Sequence, residues 1–372
     1  MINTDTLFDR TRRINWFMLL LTVSFCMAGT AMMLSAGAGE WGEYARPQLL
    51  RFLVGVVLMV SIMLCPPVWL YRLAYLGFIG ILGLLVAVEV MGHIGGGSQR
   101  WLKIGGFNIQ PSEFMKLAVV MALARFYHNV HQDDVSHIRN VAVAGLIIGL
   151  PVLLILKQPN LGTATVISTI GIAILFLAGL SWKYFATGIA AMAAIIPLAW
   201  QFVLKPYQKE RVVTFLDPEK DPLGAGYNVI QSQIGIGSGG LWGKGYMNGT
   251  QGQLNFLPEK HTDFIFTMLA EEWGFVGALF ILVCYAIIFI YGTYIVFSSK
   301  AVFGRLVAGG VIAFIFTHVG INTAMVMGLL PVVGLPLPFL SYGGSITLTV
   351  LIAMGLLLNM GINKDQPLLF KL

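Results

Sequence analysis

Residues 15–35 read NWFMLLLTVSFCMAGTAMMLS, a run of mostly apolar side chains. A helix needs about 20 consecutive apolar residues to cross the hydrocarbon core of a bilayer, so this run is long enough for one span. Comparable runs recur along the chain. They predict an all-α polytopic membrane protein, a single domain over residues 1–372, with about ten transmembrane helices at 15–35, 49–65, 71–91, 112–128, 140–156, 162–180, 184–204, 263–296, 302–327 and 344–362.

The composition excludes a soluble enzyme that carries one membrane anchor. Of the 372 residues, 57% are hydrophobic and 11% are charged, and the mean hydropathy is +0.80. Soluble domains carry about 25% charged residues. The net charge of +6 comes from basic side chains scattered between apolar runs, so we expect no nucleic-acid partner. The three cysteines lie in or at the ends of apolar runs and indicate no disulfide framework.

Basic residues beside the apolar runs predict the orientation. Arg10, Arg12 and Arg13 precede a full-length span, which favours an uncleaved first helix over a signal peptide. A cytoplasmic N-terminus places most Lys and Arg of the short segments inside, and an even number of spans returns the C-terminus to the same side. We therefore expect both termini to be cytoplasmic and residues 205–261 to form a large extracytoplasmic loop between helices seven and eight.

Ionisable side chains within spans are costly and are functional candidates for that reason. Glu113 and Lys116 follow Pro111 at the start of the fourth predicted helix, and their spacing places them on one helix face. They form either a self-neutralised pair or part of a polar cavity. In the cavity, Lys116 would meet a substrate anion, and Glu113 would orient Lys116 or hold a metal. Arg100 lies just upstream on the same outer side.

A second cluster lies where the long loop enters the eighth helix. Glu259, Lys260, His261 and Asp263 occur within five residues. Thr262 or Asp263 could cap the helix, but capping does not account for the whole cluster. A carboxylate that is half desolvated at the membrane surface is suited to general-base catalysis.

Two breaks between helices are also polar. Lys157 and Gln158 offer hydrogen-bond donors before Pro159, although the proline explains this break by itself. Residues 334–345, GLPLPFLSYGGS, form either a simple turn or the lining of a polar cavity. Non-helical backbone at membrane depth is tolerated only inside protein or beside such a cavity.

All these candidate residues fall on the outer side of the membrane and together predict one polar site open to that side. The motifs around them resemble those of the SEDS family (shape, elongation, division and sporulation). The matching stretches, which occur in order along most of the chain, are Ser98–Trp101, Gln110–Lys116, Ile236–Gly245, Leu257–Phe266 and Pro338–Ser345. The short tails favour the rod-shape elongation branch. One departure is Asn160, where the family usually has Asp.

The resemblance implies a peptidoglycan glycosyltransferase that polymerises lipid II outside the cytoplasmic (inner) membrane. It implies Asp263 as the general base on the acceptor 4-hydroxyl and undecaprenyl pyrophosphate as the leaving group. A divalent cation, Mg²⁺ or Mn²⁺, is the candidate cofactor, with Glu113 and Asp263 as candidate ligands and no organic cofactor.

The resemblance and the outer cluster together nominate substrate-binding residues. These are Arg100, Glu113, Lys116, Lys157, Gln158, Lys260, His261, Ser341 and Tyr342. The expected partners are lipid II, its undecaprenyl-linked glycan product, and a class B penicillin-binding transpeptidase of the elongation complex.

Two other functions compete with glycosyltransfer. A lipid II flippase or related transporter would place its charged groups near the bilayer midplane, whereas most candidates here lie at outer helix ends. A scaffold that only recruits a penicillin-binding protein leaves the outer charged cluster without a role. Polymerisation therefore explains more of the sequence than either alternative.

Overall fold

The computed structural model describes residues 7–95, 98–104, 107–202, 225–254 and 256–366, together with positions 209, 213, 215 and 217. Within them, the chain is built from helices that run back and forth through one bundle. In chain order the helices are α1 Leu7–Arg12, α2 Trp16–Ala36, α3 Arg46–Leu64, α4 Pro67–Met91, α5 Pro111–His128, α6 Ile138–Lys157, α7 Leu161–Ala178, α8 Trp182–Phe202, α9 Ala225–Ser238, α10 Thr250–Gln253, α11 Ile265–Ser298, α12 Val302–Val326 and α13 Gly344–Ile362.

The ten predicted spans correspond to the helices α2 to α8 and α11 to α13. Nine of these described helices are long and apolar enough to cross a membrane by length and composition. The tenth, α5, has 18 residues but carries Glu113, Lys116 and Arg125. Its charges lower its hydropathy, and they are also what make it a functional candidate.

Helix boundaries follow from local chemistry. Prolines occupy the first turns of α3, α4 and α5, where the missing N–H costs nothing. Helix α7 ends at Gly179 in the left-handed conformation (φ +94°), which glycine adopts without a Cβ penalty. A short π-helix, Trp41–Ala45, leads into α3. In α11, Gly274 interrupts the helical backbone with φ +68° and ψ −169°.

The bundle has a central and a peripheral layer. Helices α12 and α13 are mostly buried and pack against α3, α5 and α7. Helices α4 and α8 leave large apolar side chains exposed, including Leu76, Val90, Ile189 and Phe202. Such faces suit contact with lipid tails, because every helical backbone group is already hydrogen-bonded within its own segment.

A small antiparallel sheet lies between α4 and α5, and the sequence did not predict it. Its strands are β1 His93–Gly95, β2 Ser98–Ile104 and β3 Phe107–Ile109, in the order β1-β2-β3. Leu102 pairs with Ile109, and Lys103 pairs with Asn108. The sheet carries Arg100 and Trp101 to the start of α5.

Of the predicted 205–261 loop, most of residues 205–224 lie outside the described residues. The remainder contains α9 and α10 and packs on α11 through glycines. A Cβ added to Gly239 would lie 2.1 Å from the Ala270 carbonyl oxygen, and one added to Gly243 would lie 2.1 Å from that of Glu272. The glycine-rich segment therefore follows the surface of α11 at backbone contact distance.

A similar close approach joins α2 to the segment 334–343. A Cβ on Gly29 would lie 2.2 Å from the Phe339 carbonyl oxygen. We expect Gly29→Ala to destabilise the protein by about 1–3 kcal/mol, because the loop must move to make room. Gly80→Ala is the matched control in α4, since its Cβ would meet nothing within 4 Å. Thermal unfolding in detergent would measure both, and equal midpoints would contradict the close contact.

Candidate active site

A cavity of about 240 Å³ opens at one end of the bundle, where α5, α7 and α13 begin and α11 is about to start. It is lined by both polar side chains and loop backbone. The lining residues are Arg100, Trp101, Gln110, Glu113, Asn160, Thr163, Thr262, Asp263, Gly334, Leu335, Pro336, Tyr342, Gly343, Gly344, Ser345 and Ile346. All four places nominated from the sequence contribute lining residues, the break between α6 and α7 through Asn160 and Thr163.

The segment 334–343 forms one wall of this cavity. Of the two alternatives for this segment, the structure favours the cavity lining over the simple turn. Two buried polar side chains of α12 hold its carbonyls. Asn322 Nδ2 donates to the Leu335 oxygen at 2.7 Å, and His318 Nδ1 contacts the Pro336 oxygen at 3.0 Å. These bonds give two carbonyls of an irregular segment partners within the protein.

Ser341 connects the same wall to the loop that carries Asp263. Its hydroxyl donates to the Thr262 carbonyl at 2.6 Å and accepts from the Leu337 N–H at 2.7 Å. Gln48 of α3 donates to the Ser341 carbonyl at 3.1 Å. Because Ser341 is buried and its hydroxyl is used in this way, the structure gives it a positioning role.

Asp263 lies just before α11 and lines the cavity. The capping alternative is wrong, because the N-cap residue is Phe264 and no side-chain capping bond is present there. Asn322 Nδ2 donates to the Asp263 backbone oxygen at 2.8 Å. A Cβ on Gly334 would lie 3.3 Å from the carboxylate Oδ2 of Asp263, so the glycine leaves room for this carboxylate.

Glu113 and Lys116 form the predicted pair, and His318 extends it. Lys116 Nζ lies 2.7 Å from Glu113 Oε1 and 3.0 Å from His318 Nε2. An ammonium group can only donate, so His318 Nε2 accepts and its Nδ1–H donates to Pro336. Glu113 Oε2 is buried and has no hydrogen-bond partner among the described residues, which leaves one carboxylate oxygen of this cavity-lining residue for a ligand.

Arg100 and Asn160 organise the break between α6 and α7. Arg100 donates from Nε to the Gln158 oxygen at 3.0 Å and from Nη2 to the Pro159 oxygen at 2.6 Å. Asn160 Oδ1 accepts from the Thr163 N–H at 3.1 Å and caps α7. Asn160 thus caps α7 with an uncharged amide oxygen.

Several predicted substrate-binding residues lie away from the cavity surface. Lys116 is 0% exposed behind Glu113, and Lys157 is exposed at the end of α6. The Gln158 side chain donates to the Leu85 carbonyl at 3.2 Å. Lys260 donates to the Gly252 carbonyl at 2.8 Å. Direct substrate contact by these residues stays a prediction.

His261 is held by aromatic rings. It stacks on Tyr44 with centroids 4.5 Å apart and meets the edge of Tyr342 at 5.7 Å. Partial burial lowers the pKa of His261 below 6.5, with Glu259 opposing that shift. Burial also lowers the pKa of Lys260. His261 is therefore a packed ring next to Tyr342, which lines the cavity.

The carboxylate oxygens of the cavity are the candidate ligands for a divalent cation. Within the described part of the chain, no three His, Cys, Asp or Glu residues come together as a ready metal site. Glu113 and Asp263 nevertheless line one cavity, and Glu113 has a carboxylate oxygen without a partner. Two carboxylates suit Mg²⁺ or Mn²⁺, which complete their shell with water and substrate oxygens.

Sequence reasoning missed His318 and Asn322. Both are fully buried in α12 and hydrogen-bond to the cavity wall. The available signal was a histidine and an asparagine within an otherwise apolar span, since polar groups at membrane depth mark functional positions. Their hydrogen-bond partners lie more than ten residues away in the sequence, so the sequence did not predict them.

Comparison with known proteins shows the family of this chain. The family model for cell cycle proteins of the FtsW, RodA and SpoVE type matches residues 11–366. The chain belongs to this family. Peptidoglycan glycosyltransferase MrdB of Escherichia coli K12 is 42% identical over 99% of the chain and 98% of its own length. Stage V sporulation protein E of Bacillus subtilis is 37% identical over 92% and 95%.

Family members with solved structures share the fold. One was solved in work entitled "Structural coordination of polymerization and crosslinking by a peptidoglycan synthase complex". It superposes with a TM-score of 0.82 and is 29% identical in sequence. The match covers 95% of this chain and 99% of that one. The rod shape determining protein RodA of Thermus thermophilus superposes with a TM-score of 0.71 at 26% identity, covering 95% and 98%.

The buried pair of Glu113 and Lys116 generates a stability prediction. Lys116→Met should destabilise the protein by roughly 3–5 kcal/mol, because it leaves the Glu113 carboxylate buried without its counter-ion. The double variant Glu113→Gln/Lys116→Met should recover a large part of that loss. Chemical unfolding in detergent would compare the three proteins. A Lys116→Met protein with unchanged stability and lost turnover would instead place Lys116 against the substrate.

Proposed function

We propose that the chain is a peptidoglycan glycosyltransferase that polymerises lipid II into glycan strands for cell elongation and rod shape. The proposal depends on one observation. In this member of the family, Asp263, Glu113 and Arg100 line the same cavity at one end of an apolar helix bundle. MrdB of Escherichia coli bears the name peptidoglycan glycosyltransferase and matches along nearly the whole chain.

Asp263 is the proposed general base. The 4-hydroxyl of the acceptor sugar is a weak nucleophile, so Asp263 takes its proton as the oxygen attacks the anomeric carbon of the donor. The bond between that carbon and the pyrophosphate oxygen breaks, and undecaprenyl pyrophosphate leaves with the electron pair. A single displacement at an α-linked donor inverts the carbon and gives the β-linked glycan.

The fixed surroundings of Asp263 support this role. Asn322 and Ser341 hold the backbone on both sides of it, and Gly334 leaves room at its carboxylate. A base must be held within hydrogen-bond reach of its proton by a rigid frame. The buried side chains of α12 and of the 334–343 wall provide that frame.

A divalent cation fits the acidic side of the cavity. Glu113 Oε2 and the Asp263 carboxylate are the candidate ligands. When bound, Mg²⁺ or Mn²⁺ would counter the charge that develops on the departing pyrophosphate. Lys116 and His318 would hold Glu113 in place from behind, as supporting residues commonly do at metal sites.

The bundle supports a cytoplasmic placement of both termini, with the cavity on the outer side of the inner membrane. At the end opposite the cavity, Arg10 donates to the Leu64 carbonyl at 3.0 Å and Arg125 to the Arg72 carbonyl at 2.8 Å. Lys300 and Lys364 meet at that end through their backbones. A concentration of basic residues is expected on the cytoplasmic side, and the exposed apolar flanks would accommodate the polyprenyl tails of the substrates.

The proposed partner is a class B penicillin-binding transpeptidase. One solved structure that superposes on this chain is described as a peptidoglycan synthase complex that coordinates polymerization and crosslinking. Crosslinking is a second activity, which we assign to a partner protein. A transpeptidase docked on the outer side would crosslink the strands as they are made.

Asp263→Asn should abolish polymerisation of labelled lipid II while leaving stability near that of the wild type, because it keeps the shape of the side chain and removes the base. Glu259→Gln, an exposed acid four residues earlier, is the matched control and should retain activity. Gel analysis of the glycan products would measure both. Polymerisation by Asp263→Asn at the wild-type rate would disprove the assignment, and translocation of lipid II without polymer would favour the flippase alternative.

The proposed metal makes a separate prediction. Chelation with EDTA should stop polymerisation, and Mn²⁺ or Mg²⁺ should restore it. Mn²⁺ should also raise the Tm of the wild type by binding the folded state, and Glu113→Gln should need about tenfold more Mn²⁺ for the same shift. Identical Mn²⁺ titrations for the two proteins would remove Glu113 as a ligand.

A further inference from the structure

An apolar groove lies between α2 and α11, at the end of the bundle opposite the cavity. Its volume is about 360 Å³. Phe17 and Met18 of α2 line one side, and Ile287, Ile290 and Tyr294 of α11 line the other. Phe17 is 60% exposed and Ile290 is 70% exposed, so the groove opens to the outside of the bundle. A hydrocarbon chain fits such a groove, because it gains van der Waals contacts there and needs no hydrogen bonds.

A lysine lies where this groove meets the end of the bundle. Lys364 follows α13, and its Nζ donates to the Tyr294 hydroxyl and lies 4.4 Å from the centroid of the Tyr294 ring. Because Tyr294 lines the groove, the ammonium group lies at the groove's rim. An ammonium group has three N–H donors, and the Tyr294 hydroxyl takes one of them. An anion at the rim is therefore within reach of a positioned cation.

The surroundings of this rim are basic. The Lys300 N–H donates to the Lys364 carbonyl at 2.8 Å, and the Lys300 side chain is exposed. Residues 9–13, DRTRR, carry three arginines and one acid, and they come just before Asn15, which also lines the groove. Asp365, beside Lys364, is exposed, so water screens its charge. The cations outnumber the acids, and such an excess attracts anionic lipid headgroups.

Close packing of α13 on α11 fixes the lysine relative to the groove. A Cβ added to Gly361 would lie 2.5 Å from the hydroxyl oxygen of Tyr291, so the glycine lets the end of α13 approach a residue that lines the groove. Lys364 follows three residues later and is half-buried. A side chain that is already held in place loses less conformational entropy when a ligand binds. The apolar groove and its cationic rim therefore form one preorganised surface.

We propose that this groove binds one acyl chain of an anionic glycerophospholipid, whose phosphate group contacts Lys364 at the rim. The choice of occupant follows from charge complementarity, since an apolar groove meets a basic rim and such a lipid joins an apolar chain to a negative headgroup. Basic pockets between transmembrane helices bind anionic headgroups in this way. The site lies at the opposite end of the bundle from the candidate active site, so the inference does not depend on glycosyltransfer.

Native mass spectrometry of the delipidated full-length protein tests the headgroup contact. The probes are phosphatidylglycerol and phosphatidylcholine with identical acyl chains. The wild type should bind its first phosphatidylglycerol roughly fivefold more tightly than phosphatidylcholine, the effect of one lysine near an anionic headgroup. Lys364→Gln should bind both lipids alike, and Lys364→Arg should keep the preference. Lys300→Gln is the matched control, because it removes the same charge from the same end of the bundle, and its preference should stay within twofold of the wild type.

A second pair of variants tests the apolar groove. Ile290→Trp places a larger side chain in the groove and should weaken binding of both lipids at least fivefold. Ile189→Trp is the matched control, since Ile189 lies on α8, away from the groove, and is similarly exposed, at 67% against 70% for Ile290. It should bind both lipids within twofold of the wild type. Thermal unfolding of each variant would show that the protein is folded.

Several results would overturn the proposal. Equal affinities of the wild type for the two lipids, or an intact preference in folded Lys364→Gln, would show that Lys364 does not select an anionic headgroup. Equal losses in Lys300→Gln and Lys364→Gln would show only a general effect of charge. Unchanged binding by Ile290→Trp would place the lipid outside the groove. Displacement of phosphatidylglycerol by an equal concentration of undecaprenyl phosphate would assign the groove to a polyprenyl lipid instead.

Discussion

The absence of water inside a bilayer is the constraint on which this structure depends. An irregular segment at membrane depth exposes carbonyl and N–H groups that must find partners within the protein. Residues 334–343 meet that demand through His318, Asn322 and Ser341. Two of these partners come from α12 and the third lies within the segment, so the loop is fastened to α12 and forms one wall of the polar cavity.

The same constraint governs the charges. Glu113 and Lys116 neutralise each other, and His318 accepts the next hydrogen bond from the ammonium group. An ion pair that is buried in this way contributes little net stability, but losing one partner is costly. The network therefore serves to hold a carboxylate at the cavity surface. Its unpaired oxygen is kept available by bonds made on the side away from the cavity.

Opposite charges are separated within the cavity in a way that suits displacement at a sugar carbon. The acids, Asp263 and Glu113, come from the elements around α11 and α5. Arg100 supplies the positive side of the cavity, at the edge near α7. A base on one side and anion-binding groups on another can act together on an acceptor hydroxyl and a departing pyrophosphate.

The sequence by itself determined the long apolar helices, the polar stretches that line the cavity and the pairing of Glu113 with Lys116. Each of these depends on apolar length or on helical spacing, which are local properties of the chain. Only the tertiary structure decided that Lys116 is buried behind Glu113, that Asn322 holds Asp263, and that Lys364 lies over Tyr294. These contacts join residues far apart in sequence, and helix packing, which periodicity does not encode, brings them together.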